Sequence, residues 1–184
     1  MGFKEMFGFM IILALYISIT SPYEYDPNVV NPYTYDSYYD GYEYGSDGEK
    51  IELVNNPNAT TTTHRNLINF LKSDKTDEII YEDGVFVCAD CAETLHNNAE
   101  DAGIKAGWVA IEFELDDERH ACNVFEMGDG ELVFVDCTNG GYPGDFDTFV
   151  EVEYGIPYIP EDINKNSDYY YESLGIIKNY IIYW

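Results

Sequence analysis

The sequence predicts an α+β fold in which two helices precede a run of antiparallel strands. Three observations predict it. Leu67, Ile68, Phe70 and Leu71, and later Ala89, Ala92, Leu95, Ala99 and Ala102, recur at helical spacing. After Gly103 the pattern changes to alternation, in stretches at residues 106–115, 121–127, 131–137 and 149–154. Gly128-Asp129-Gly130 separates two of these stretches as a hairpin turn. Helices first and strands afterwards is the order of segregated layers, not of a parallel α/β sheet.

The chain has 184 residues, enough for one domain with a single core and a tail. Apolar residues make up 46%, which excludes a wholly disordered polymer. Nine Lys and Arg stand against 35 Asp and Glu, a net charge of −26. Phosphate recognition needs clustered cations, so this balance argues against a nucleic-acid partner and against docking on an anionic membrane surface. Self-repulsion keeps such a protein soluble.

Residues 1–20 read as a signal peptide or N-terminal anchor. Lys4 precedes a mostly apolar run at residues 6–19, short for a membrane span and typical of a signal core. Small residues at Ser18 and Thr20 suit cleavage before Ser21, and imply a secreted or cell-surface protein. Residues 21–59 read as an acidic, tyrosine-rich linker or stalk, because so few aliphatic side chains cannot offset chain entropy. Asn58-Ala59-Thr60 is a glycosylation sequon, relevant if the chain passes through a glycosylating system. The folded domain is expected over residues 60–184. The threonines at 60–63 offer N-caps to the first helix, and Ser73-Asp74-Lys75-Thr76-Asp77 ends it. Residues 79–87 form a connector. The second helix is expected over 88–102 with Gly103 as its C-cap, and a last strand over 175–184.

The candidate chemistry lies at Cys88, His120 and Asp136. Centring the hairpin near Gly128-Asp129-Gly130 sets His120 and Asp136 across from each other on one face, where side chains hydrogen-bond. A carboxylate beside a histidine fixes its tautomer and stabilises the imidazolium. Cys88 opens the second helix, where the positive end of the helix dipole favours thiolate. If that helix crosses the His120 face, the three groups form an activated Cys-His-Asp nucleophile. Asp90, in the same first turn, opposes the thiolate unless it points away.

Cys88-Ala89-Asp90-Cys91-Ala92, followed by Ala102-Gly103-Ile104-Lys105-Ala106, resembles the nucleophile helix of the transglutaminase-like superfamily. His120-Ala121, followed by Val133-Phe134-Val135-Asp136-Cys137-Thr138, resembles that family's His-Ala and Asp-x-Thr blocks, in the same order and at matching separations. The resemblance covers about residues 60–184. It departs from the family at Phe86, Lys105, Cys122 and Cys137, none of which is a reacting group. It implies a papain-like fold, with the nucleophile helix packed on an antiparallel sheet. It also implies thiol acyl transfer or cysteine peptidase/amidase chemistry on a protein or peptide amide, through a thioester, with no cofactor and no metal. The Cys88 amide is one expected oxyanion donor. The chain contains no glutamine, so it cannot be its own glutamine donor.

Two other readings stand beside it. Cys88, Cys91, His120, Cys122 and Cys137 contain a zinc ligand set, and a non-catalytic extracellular binding domain can use the same fold. A Cys91–Cys122 disulfide suits an exported protein and leaves Cys88 free; Cys137, by alternation, should leave the His120 face. His96 is expected to pack, His64 to neighbour a cap, and Trp108 to sit in the core. Asp116-Asp117-Glu118 reads as a solvated acidic loop, and Asp145 with Asp147 as a faint calcium-loop signal.

Overall fold

The computed structural model describes residues 43–115, 119–138, 147–163 and 172–184. Within them the protein is α+β. Helices α1 (His64–Ser73) and α2 (Cys88–Asp101) precede strands β1 (Ala106–Phe113), β2 (Arg119–Glu126), β3 (Leu132–Asp136), β4 (Thr148–Val150), β5 (Glu161–Asp162) and β6 (Ile177–Tyr183). The strands form one antiparallel sheet in the order β5-β4-β3-β2-β1-β6. The two-residue β5 carries no sequence signal, and β4 stops at Val150, short of the expected alternation. Residues 1–20, the linker up to residue 42, the acidic loop 116–118, and Gly140, Gly141 and Asp145 lie outside the described residues. Asp147 is buried.

Local chemistry explains the element ends. Thr63 caps α1, its hydroxyl accepting from the Asn66 amide at 3.3 Å. Ala102 caps the C-terminus of α2, and Gly103 follows with φ +78°, a left-handed conformation that glycine adopts without steric cost. Gly107 of β1 sits where strands crowd. A Cβ there would stand 2.8 Å from Val124 Cγ1 and 3.2 Å from the Tyr183 carbonyl.

Side-chain alternation sorts the sheet into two faces. Phe125, Val133 and Val135 pack with Leu67, Leu71, Cys91, Leu95 and Ala99 from the helices. Burying each leucine contributes roughly 1.5–3 kcal/mol. On the same face Asn123, fully buried, donates from Nδ2 to the Ala92 carbonyl at 2.8 Å. The opposite face carries Val109, Ile111, Cys122 and Val124, covered by Val150, Val152, Tyr158 and Ile177. By alternation His120 belongs with Cys122, so the body of α2 packs on the face away from His120, and its first residue, Cys88, is what reaches the imidazole. This corrects the expected placement. Alternation fixes which residues share a face, but not which face receives the helix.

The hairpin register is corrected as well. β2 and β3 pair with Asn123 opposite Val135 and Glu126 opposite Leu132, because the turn centres on Asp129. That is two residues away from the register that sets His120 opposite Asp136. A slip of two preserves parity. The two residues therefore keep one face and meet diagonally.

Residues 43–59, inside the expected linker, are bound along α2. The amides of Ser46, Glu52, Val54 and Asn56 donate to the side chains of Asp90, Glu93, Asn97 and Glu100 at 2.8–3.2 Å. The acceptors recur at helical spacing down one stripe of α2. The last three donors recur every second residue, as in an extended strand. Ile51 and Leu53 pack beside Ala92 and Trp108. Few aliphatic residues are needed, because the segment is held through its backbone.

Candidate active site

The first turn of α2 positions the thiol. Val87 is extended and has no side-chain acceptor, so the Asp90 carboxylate ties the turn by accepting from the Val87 amide at 2.8 Å. The same carboxylate accepts from Ser46. Its charge is thus engaged with backbone donors. Cys88 becomes the first helical residue, where N–H groups lack intrahelical acceptors and the dipole is positive. It is a free, half-buried cysteine.

Asp136 ends β3 and is the most constrained group of the site. Its Oδ2 accepts from His120 Nε2 at 2.8 Å and from the Tyr158 hydroxyl at 2.7 Å. Its Oδ1 accepts from the Thr138 amide at 2.8 Å and from the Thr138 hydroxyl. The His120 and Asp136 side chains are 10% and 3% exposed. Nε2 is committed to Asp136, and Cys88 interacts with the imidazole as well. Beside it Arg119, at the start of β2, pairs with Glu112 at 3.7 Å and Glu43 at 3.8 Å. The sequence-predicted residues are therefore brought together: Cys88 interacts with His120, which is hydrogen-bonded to Asp136.

Electrostatics polarise that row. Burial disfavours the charged imidazole, but the Asp136 carboxylate that accepts from it, together with Cys88, outweighs this and lifts His120 to about 10. Burial likewise acts against the Asp136 carboxylate, yet His120 and Thr138 hold its pKa below the ordinary value. Burial next to Asp136 pushes both the Tyr158 hydroxyl and the Cys122 thiol up, so each stays protonated, and the Tyr158 hydroxyl donates to Asp136. At neutral pH the imidazole carries the proton beside the Asp136 carboxylate.

Tyr158 is the site residue that sequence reasoning missed. It is fully buried, sets its ring edge-on to His120 at 5.1 Å, and shares an oxygen of Asp136 with it. It comes from the irregular segment between β4 and β5, where one tyrosine among 18 carries no periodic signal.

The remaining cysteines differ from expectation. Cys91 pairs with Cys137, their Cα atoms 6.2 Å apart, rather than with Cys122. Cys122 faces away from α2 beside Tyr158. Cys137 packs with Val133 and Val135 on the α2 face, off the His120 face as alternation requires, and it meets Cys91 because α2 lies on that face too. The bridge joins α2 one turn beyond Cys88 to the residue after Asp136. The zinc ligands are split by the same arrangement: two are consumed in a disulfide and one stands on the opposite face. Among the described residues no group of three His, Cys, Asp or Glu converges on a metal position.

The other expected residues take supporting places. His64 begins α1 and meets Glu131 at 2.9 Å. His96 is buried in α2 and bonds Asn55 at 3.0 Å. Trp108 is in the core, donating to the Ala89 carbonyl at 3.2 Å. A recess of about 550 Å³ flanks the start of α2, with Asp47, Glu49, Glu52, Asp90 and Glu93 on its walls. Comparison of the chain with protein-family models, curated proteins and solved structures finds no match.

Proposed function

We propose that the chain is a transglutaminase-like thiol acyltransferase or cysteine peptidase/amidase on a papain-like fold, acting on amide bonds of proteins or peptides. One observation carries this reading: a free cysteine at a helix N-terminus interacts with an imidazole whose Nε2 is held by a buried carboxylate. The same row without Cys88 would be an ordinary structural ion pair.

In the reaction the Cys88 proton rests on His120, stabilised by Asp136. The thiolate attacks the amide carbon, and the oxyanion that forms is met by the Cys88 amide. The C–N bond breaks as His120 gives its proton to the leaving nitrogen, and a thioester remains on Cys88. Water or an amine then loses a proton to His120 and attacks the thioester carbon, and Cys88 leaves as thiolate. Water completes hydrolysis; an amine completes crosslinking. The acidic recess beside α2 favours a cationic amine near the nucleophile. The Cys91–Cys137 bridge supports work outside the reducing cytosol, in keeping with a secreted or cell-surface location.

The test is incubation with an amide or peptide library and a fluorescent primary amine, comparing the intact protein with Cys88→Ala. The intact protein should incorporate amine or release hydrolysis products, and the variant should lose activity by about 10³-fold or more. Equal product from both proteins, or none from either while iodoacetamide leaves Cys88 unlabelled at neutral pH, overturns the proposal.

A further inference from the structure

A second cleft, of about 690 Å³, opens at the other end of β3. Its floor includes Leu132, Val133, Phe134, Phe149, Val150 and Ile156. It exists because the β3–β4 ladder stops early. Phe134 pairs with Val150, but Leu132 and Val133 have partners on β2 only, since the chain leaves the sheet after Val150. The edge of β3 is thus open beside apolar side chains, and Leu132 is 41% exposed. An open edge next to apolar pockets is the surface to which an extended peptide adds as a strand.

The rim decides the chemistry of the occupant. Glu131, Glu151, Glu153 and Glu161 line the cleft and are exposed. His64 meets Glu131, while among the described residues no Lys or Arg pairs with Glu151, Glu153 or Glu161. A second copy of this chain, at net charge −26, is repelled. Its own residues 21–42 contain Glu24, Asp26, Asp36 and Asp40 and no Lys or Arg, and are repelled as well.

We propose that this cleft binds an extended segment of another polypeptide, alternating basic and aliphatic residues, as an added strand on β3. The aliphatic side chains fill the apolar floor, and the basic ones meet Glu151, Glu153 and Glu161. The site is separate from the Cys88 row and binds without turnover.

The probe is a fluorescein-labelled hexapeptide alternating lysine and valine, followed by anisotropy, with a glutamate–valine peptide as the control. The lysine peptide should bind at least about tenfold more tightly than its acidic counterpart. Glu151→Lys/Glu153→Lys should weaken it by a similar factor. Cys88→Ala should bind it unchanged, so failure of the acyl-transfer reading leaves this result intact. N-methylation of one alternate set of peptide amides should abolish binding, while methylation of the other set is tolerated. Equal loss on Asp47→Lys/Glu49→Lys at the distant recess, or tolerance of both methylation patterns, would reduce the effect to general attraction to an acidic protein and overturn the proposal. Self-association of the peptide-free protein that the Glu151/Glu153 reversal abolishes would overturn it too.

Discussion

His96 is buried in α2 and the His120 side chain is only 10% exposed, and their surroundings push them in opposite directions. His120 hydrogen-bonds the Asp136 carboxylate, lies beside Cys88 and rises to about 10. His96 bonds the neutral Asn55 side chain, its Nδ1 has no partner among the described residues, and burial lowers its pKa despite the nearby Glu100. Burial alone favours neutral imidazole; a bonded carboxylate reverses the sign. The difference separates a histidine poised to hold and release a proton from one that ties a strap to a helix.

The strongest way to break the comparison is to remove the carboxylate. Asp136→Asn leaves His120 buried without its anion, so its pKa should fall from about 10 to or below the ordinary range, as His96 already does. NMR titration of labelled histidines reads this directly. Turnover, where the library assay detects it, should drop by roughly 10³–10⁴-fold. A His120 that still titrates near its original value would show that Asp136 is not the cause.

The same pairing sets the alkaline limit of stability. His120 has a folded pKa above its unfolded one. Its contribution is therefore fully present below about 6.5 and is lost as pH rises towards about 10. Urea unfolding across that window should show a decline that His120→Gln removes. Tyr158→Phe sharpens the comparison at smaller scale. It deletes one of the four donors to Asp136 while keeping the ring on His120, and should cost about 1.5–3 kcal/mol in urea unfolding.

His96 gives the smallest effect and the opposite sign. Its folded pKa lies below the unfolded value, so the stability it contributes is present above about 6.5 and lost as pH falls through the folded value. His96→Gln, which can still donate to Asn55, should flatten the acid side of the stability profile by about 1 kcal/mol or less. A variant that flattens the alkaline side instead would contradict the assignment.

Much of this was readable from residue order. Gly103 and the glycines around Asp129 mark real chain reversals, and parity on β2 and β3 holds His120 and Asp136 to one face through a two-residue error in register. Cys88 stands at a helix start because Val85-Phe86-Val87 runs straight into it. Other features leave no periodic trace. Alternation is silent on which face receives α2, and that placement, rather than Cys137 itself, misdirected the disulfide. Tyr158 sits in irregular chain. The strap is held by backbone amides, which every residue possesses; its only written sign is the acceptor stripe Asp90, Glu93, Asn97 and Glu100, which reads as an ordinary solvated helix face.

That stripe has a practical consequence for anyone dissecting the protein. A fragment started at Thr60, where composition suggests the domain begins, would leave Glu100 without the Asn56 amide and uncover Ala92 and Trp108 beside the nucleophile helix. It would also free Asp90 from Ser46 in the turn that carries Cys88. The segment that looks dispensable is the outer splint of the reactive helix.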